Sequence, residues 1–175
     1  MSSLSSFLRL SALGFTLAMT PLHAAIAKEA PAKATIAPAA DIESVKQALV
    51  TWLDTVKNKQ PADITALYAE DGILLSTLKN KPFTTQAERL EYFKTFKTNK
   101  GLRGEIIEQH PKLLGNGFAM NNGTYIFRFE KDGNTVEVPA RFTYVYRMDN
   151  GVWKIIAHHS SKMPETGEDM LRESK

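Results

Sequence analysis

The sequence predicts an α+β domain, in which N-terminal helices pack in a strongly curved antiparallel sheet that forms a cone with an internal pocket. Two observations carry this prediction. From residue 41 onward, apolar residues first recur at helical spacing, and later lie in long alternating runs separated by Gly-containing turns. A sheet this long must twist and curl around so few helices, so a hollow remains wherever they do not fill the curl.

The first helix is expected to begin after Asp41, a residue that can cap it. Pro61, at a first-turn position, opens a shorter second helix that reaches Tyr68 and ends at Asp71-Gly72, before a short strand at residues 73–75. Thr85 to Glu88 forms a capping box that begins the third helix. The residues of the first helix at core-facing spacing are Ile42, Val45, Leu49, Trp52, Leu53 and Val56.

Long strands follow the third helix. The turns between them are residues 115–117, 132–134 and 149–151, each with Asn or Asp beside Gly, which is typical of hairpins. The predicted strands are Arg103 to Leu114, Phe118 to Glu130, Thr135 to Met148 and Val152 to Ser161.

The chain divides into four predicted segments. Residues 1–27 have the order of a secretory signal, because a short positive start precedes an apolar run and a small-residue cleavage site. That run is shorter than the ~20 residues that cross a bilayer. We therefore expect an exported protein, periplasmic or secreted, without a membrane anchor after cleavage. Residues 28–40 form an Ala/Pro-rich linker, 41–165 the single domain and 166–175 a polar tail.

Composition excludes several classes of function. With no cysteine in the chain, disulfides and a lipid-modified N-terminus are excluded. The formal net charge is only +3, and the lysines are scattered along the sequence instead of grouped with aromatic residues. Nucleic-acid binding needs a concentrated basic footprint, so it is not expected.

The segment from Arg141 to Pro164 carries the candidate site. Its second strand ends in His158, His159, Ser160 and Ser161, and Arg141 begins the strand beside it. These residues resemble the polar lining of a pocket. Other candidates to line it are Tyr125, Arg128, Glu137 and Tyr144.

Neighbouring residues of a strand point to opposite faces, so the two histidines cannot both face the pocket unless a bulge intervenes. His159 shares the phase of Trp153 and Ile155, whereas His158 shares that of Ile156. We therefore expect His159 to face the cavity. The same geometry prevents the pair from chelating one ion, and neither a metal nor a cofactor is predicted.

Two kinds of role remain open for these residues. An Arg on a sheet offers a rigid fork for a carboxylate or enolate oxygen, and His159 could act as a base or as a donor. Tyr125 and Tyr144 could supply further donors, while no acidic residue is clearly placed as a base. The alternative is structural, since strand aromatics usually lie in the core.

Several segments resemble a bacterial group related to the association (hub) domain of calcium/calmodulin-dependent protein kinase II. This group belongs to the nuclear transport factor 2-like superfamily, and the resemblance covers roughly Asp41 to Glu165. It implies a cone-shaped α+β fold, but no kinase activity, because no phosphate loop or kinase catalytic loop is present. The matching segments are Tyr68 to Leu78, Glu91 to Phe96, Asn122 to Phe127, Arg141 to Tyr146, Trp153 to Ile155 and His158 to Pro164.

The resemblance also implies a ligand pocket and self-association. Related hubs hold small carboxylates with arginines and a histidine, which by position match Arg141 and His159 here, with Arg128 as a further candidate. The expected function is a non-catalytic domain that binds a small carboxylate or hydrophobic ligand and forms a homodimer or larger oligomer through the sheet. The alternative is an isomerase, cyclase or dehydratase that uses His159 and Arg141. The full set of expected ligand-binding residues is Arg141, His159, Arg128, Tyr125, Tyr144, Ser161, His158, Trp52 and Tyr68.

Overall fold

The computed structural model describes residues 41–164. The predicted leader, linker and tail, residues 1–27, 28–40 and 166–175, lie outside the described residues. Residues 41–164 form three helices and five strands, and the predicted α+β class is confirmed. The elements are α1 Ile42–Asn58, α2 Pro61–Thr65, β1 Tyr68–Leu75, α3 Gln86–Phe96, β2 Lys100–Gly115, β3 Phe118–Lys131, β4 Asn134–Asp149 and β5 Val152–Lys162.

The predicted helix starts are confirmed by their caps. The Asp41 carboxylate accepts a hydrogen bond from the Ser44 backbone N–H at 2.6 Å, and the Ser44 hydroxyl lies 3.3 Å from the Asp41 N–H. Thr85 and Glu88 form the same reciprocal arrangement at α3. Such caps satisfy the N–H groups that have no partner within the helix, so each helix begins at a defined residue.

Tyr68 lies on a strand and not on the second helix, which corrects the sequence prediction. α2 ends at Thr65, and the Leu67 carbonyl already accepts a hydrogen bond from the Ile155 N–H at 2.9 Å. From Tyr68 onward β1 runs parallel to β5. The prediction was wrong because the partner that draws this segment into the sheet lies far along the chain and has no local signature.

The sheet has the order β1-β5-β4-β3-β2, and every pair except β1 with β5 is antiparallel. The three hairpins turn at the predicted positions. Asn116, Asp132 and Asn150 have φ near 50°, and each is followed by a Gly with positive φ, as tight hairpin turns require.

The concave face of the sheet packs on the apolar face of α1. Trp52 is the central contact, and its ring meets those of Phe93, Phe127 and Tyr144 edge-on, at centroid distances of 6.3, 6.2 and 5.7 Å. These four rings belong to α1, α3, β3 and β4, so one cluster joins the helices to the sheet. Among residues 41–164, no helix is long and apolar enough to cross a bilayer.

Candidate functional site

A bulge in β5 decides which residues face the inside of the cone. Tyr146 pairs with Ile155 and Val145 with Ala157, so Ile156 has no residue opposite it on β4. An extra residue of this kind reverses the alternation of side chains beyond it. Trp153 and Ile155 are therefore buried before the bulge, and the even-numbered residues are buried after it.

His158 and Ser160 are consequently the buried pair, at 3% and 5% exposure. His159 is exposed and lies opposite Thr143 on the outer face. The expectation that His159 faces the cavity was wrong, because it assumed that side chains alternate regularly from Trp153 and Ile155 onward, without a bulge.

Arg141 and Ser161 lie opposite each other on that same outer face, so they do not line the cavity either. Phe142, the neighbour of Arg141, is buried on the inner face. Arg128 also points outward, where it forms ion pairs with Glu105 and Glu137. The guanidinium groups predicted to hold a carboxylate are therefore on the other side of the sheet.

The inner face bounds a cavity of about 240 Å³ between the sheet, α1 and α3. Of the predicted residues, Trp52, Tyr125 and His158 line it. Most of the other lining residues are aromatic or aliphatic, and Lys79 is the charged side chain among the described ones. The lining is completed by Leu74, Ser76, Thr77, Leu78, Lys79, Tyr92, Phe93, Thr95, Phe96, Asn99, Phe127, Phe129, Val138 and Ser160.

His158 is held in the wall of this cavity by contacts on three sides. The Tyr68 hydroxyl lies 2.7 Å from Nδ1. The Tyr144 ring stacks on the imidazole with centroids 4.0 Å apart, and Trp52 meets it edge-on at 5.2 Å. Tyr68 and Tyr144 thus contribute by positioning His158. The other ring nitrogen, Nε2, has no hydrogen-bond partner among residues 41–164.

A second polar group lies beside His158. The Tyr125 hydroxyl donates to Ser160 Oγ at 2.7 Å, and Ser160 Oγ lies 2.5 Å from Thr77 Oγ1. Ser76 Oγ and Trp52 Nε1 are also buried and, like His158 Nε2, form no hydrogen bond of normal geometry within the described part of the chain. Buried polar groups usually have partners, so three unpaired atoms on residues of one cavity indicate a place where a ligand or a water could bind.

These groups are neutral around physiological pH. Burial, together with the nearby His159, lowers the pKa of His158 to about 3. Burial also raises the pKa of Tyr68 and of Tyr125. The site can therefore donate and accept hydrogen bonds, but a base as weak as His158 is poorly matched to proton abstraction at neutral pH.

α3 and the loop after β1 contribute lining residues that were not predicted. Phe93 and Phe96 on α3 are apolar residues at helical spacing, and that spacing was the available signal for a lining role. Ser76 and Thr77 carried no periodic signal at all. Within the described residues, no group of three or more His, Asp or Glu side chains could hold a metal ion.

The curved sheet wrapped around helices defines the nuclear transport factor 2-like class of cone folds. A candidate dehydratase of that class from Streptomyces avermitilis matches at a TM-score of 0.64 with 16% identity, covering 71% of this chain and 98% of that one. A ketosteroid isomerase-like protein from Erwinia carotovora atroseptica matches at 0.59 with 16% identity, covering 71% and 97%. At such identities, the likeness shows the fold alone.

The family is more specific than the class. Residues 41–164 match the model of the calcium/calmodulin dependent protein kinase II association domain, so the chain belongs to this family. A solved candidate association domain from Xanthomonas campestris is 35% identical, with a TM-score of 0.68, and the match covers 72% of this chain and 90% of that one. The predicted family and superfamily are thus confirmed. No match was found among curated proteins.

Proposed function

We propose that this protein is an exported, self-associating domain that binds a small, mainly apolar molecule in its cone cavity without transforming it. The observation that carries the proposal is an aromatic cavity whose lining residues include three buried, unpaired polar atoms, Trp52 Nε1, Ser76 Oγ and His158 Nε2. Such a combination of apolar walls and a few polar groups is typical of small-molecule sites.

The arrangement around His158 specifies the polar part of the ligand. If the Tyr68 hydroxyl donates to Nδ1, the neutral imidazole carries its proton on Nε2 and becomes a donor. The ligand would then present an acceptor, such as a carbonyl, carboxylate or phenolic oxygen. Lys79 is the charged residue of the described lining, so an anionic group is favoured over a cationic one.

The size of the cavity limits the rest of the ligand. Ligand pockets commonly measure about 300–1,000 Å³, and this one, at about 240 Å³, falls just below that range. The walls from Trp52, Phe93 and Phe127 are rings that favour a flat partner. We therefore expect a single-ring aromatic compound with one oxygen-bearing substituent.

The same cavity gives less support to an isomerase or dehydratase. Such chemistry needs a group that takes up a proton near neutral pH. Among the described residues that line the cavity there is no carboxylate, and His158 has a pKa of about 3. Turnover abolished by His158→Gln but not by His159→Gln would nevertheless favour the catalytic alternative.

The outer face of the sheet supports self-association. Ile73 and Leu75 of β1, Phe118 of β3 and Val152 of β5 are apolar side chains that remain 37–53% exposed. Burying such side chains against a second copy would be favourable. Export, which rests on the predicted leader, would place this assembly in the periplasm or outside the cell.

The binding proposal is tested by thermal-shift titration with benzoate, 4-hydroxybenzoate and acetophenone, using a matched pair of histidine variants. His158→Gln removes the inward imidazole, and His159→Gln removes the adjacent outward one. We expect at least one compound to stabilise the wild type and the His159 variant, with a loss of at least tenfold in affinity for the His158 variant.

Two results would contradict the proposal. The first is that none of the three compounds stabilises the wild type. The second is an equal loss of affinity in both histidine variants, since His159 does not line the cavity.

A further inference from the structure

A second cavity lies where the ends of α1 and α3 meet the start of β2. Its lining is rich in cationic residues, unlike that of the cone cavity. Its volume is about 490 Å³. Half of its lining residues are cationic, and none is acidic among those the structure describes. The lining consists of Lys57, Asn58, Lys97, Asn99, Lys100, Gly101, Leu102 and Arg103.

The fold, and not the sequence, brings these cations together. Lys57 lies about 40 residues before Lys97 in the chain, so the lysines look scattered when only their spacing is considered. In the structure, the Lys97 ammonium donates to the Val56 carbonyl at 2.6 Å and to the Lys57 carbonyl at 3.1 Å. These bonds fix the end of α3 against the end of α1.

Most of this positive charge lacks a carboxylate partner. Arg103 donates to the Gly101 carbonyl at 3.2 Å, and neither Arg103 nor Lys57 forms an ion pair with a described residue. Lys100 lies 3.6 Å from Glu130, but both side chains are at least half exposed, so this pair is weak. Lys57, Lys97 and Arg103 therefore have no carboxylate partner among the described residues, while Glu130 lies at the edge of the cleft beside Lys100 and Gly101.

The partial negative charge at the C-terminus of α1 does not cancel the positive charge of the cleft. Carbonyls at the C-terminus of a helix repel anions, and α1 ends at this cleft. The Lys97 ammonium, however, covers two of those carbonyls, from Val56 and Lys57. A bound anion would therefore meet ammonium and guanidinium donors in front of them.

We propose that this cleft binds a small oxyanion with two or more negative charges, of the phosphate or polycarboxylate class. Ammonium groups from Lys57 and Lys97 would supply point charges, and the planar Arg103 guanidinium would hold two oxygens at once. The cleft and the cone cavity share Asn99, but the four cations line only the cleft, so the cleft adds a second ligand class to the proposed function.

Isothermal titration of the full chain with pyrophosphate and with citrate tests this site, using two charge-matched variants. Lys57→Gln/Arg103→Gln removes two cations of the cleft. Lys112→Gln/Arg141→Gln removes one Lys and one Arg from exposed positions outside it. We expect the cleft variant to bind at least tenfold more weakly and the control variant less than twofold, with an affinity that decreases as NaCl is raised.

Whichever anion binds with the higher affinity would identify the ligand class, phosphate for pyrophosphate and polycarboxylate for citrate. Absence of binding by both anions at millimolar concentration, or equal weakening in both variants, would overturn the proposal. His158→Gln is expected to leave anion binding unchanged, so failure at this cleft and failure at the cone cavity can be told apart.

Discussion

His158 and His159 are adjacent in sequence and chemically identical, yet they belong to different regions of the molecule. The inner one is 3% exposed, and burial lowers its pKa to about 3. The outer one is exposed and lies opposite Thr143. The difference comes from a single extra residue, Ile156, in β5. One bulge can therefore determine which of two equivalent side chains becomes part of a site.

Arg89 and Arg147 show the same difference between a buried and an outward-facing side chain. Arg89 of α3 is fully buried, and its guanidinium donates to the carbonyls of Ala69, Glu70 and Gly72 in the irregular part of β1. Arg147 lies on the outer face and pairs with Asp71 and Asp149. We expect the buried arginine to stabilise the fold and the outer one to add little.

The largest effect is therefore expected from comparing Arg89→Met with Arg147→Met. Loss of the Arg89 guanidinium leaves three main-chain carbonyls without their donor, which costs roughly 3–5 kcal/mol of unfolding free energy. Urea denaturation of both variants measures the difference. Equal destabilisation by the two substitutions would contradict the assigned roles, since the Arg147 pairs are screened by solvent.

The next effect is a loss of stability in mild acid that depends on His158. Its folded pKa of about 3 lies below the ordinary value of 6.5, so the unfolded chain takes up a proton first as the pH falls. Stability is therefore complete above pH 6.5 and decreases as the pH falls toward 3. Between pH 6.5 and 5.0 the loss is on the order of 1.5 kcal/mol.

Denaturation of His158→Gln and His159→Gln at these two pH values provides the check. The His158 variant should lose most of the pH dependence, and the His159 variant should keep it. The opposite pattern would mean that the outer histidine is the buried one.

The smallest expected effect concerns assembly. Leu75→Asp places a charge on the apolar outer face of the sheet, where Leu75 is 44% exposed. Leu78→Asp places the same charge beside the cone cavity, where Leu78 is 70% exposed. We expect at least tenfold weaker self-association for the Leu75 variant alone, measured by light scattering over a range of concentrations.

A monomeric wild type, or equal weakening by both substitutions, would contradict assembly through the outer face. Circular dichroism of both variants controls for loss of fold, because β1 is an edge strand.

Local signals predicted much of this fold. The caps at Asp41 and Thr85 and the turns at Asn116, Asp132 and Asn150 depend on residues close in sequence, and each was found where expected. The position of Tyr68 was not predicted, because parallel pairing with β5 is a contact between distant segments.

The candidate site was predicted in part, for the same reason. Trp52, Tyr125 and His158 were among the expected residues and line the cavity. Arg141 and His159 were assigned to the wrong face. Strict alternation is a sound rule for a regular strand, but a bulge has no composition of its own and becomes visible only when the pairing with the next strand is known.

Imidazole ¹⁵N NMR of His158, recorded from pH 7 to pH 4 with and without an aromatic ligand, tests whether this buried, neutral ring is the group that binds the ligand. We expect a neutral ring throughout, protonated on Nε2, whose Nε2 signal shifts when the ligand binds. A His158 ring that becomes charged near pH 6.5, or an Nε2 signal that no tested ligand moves, would contradict this expectation.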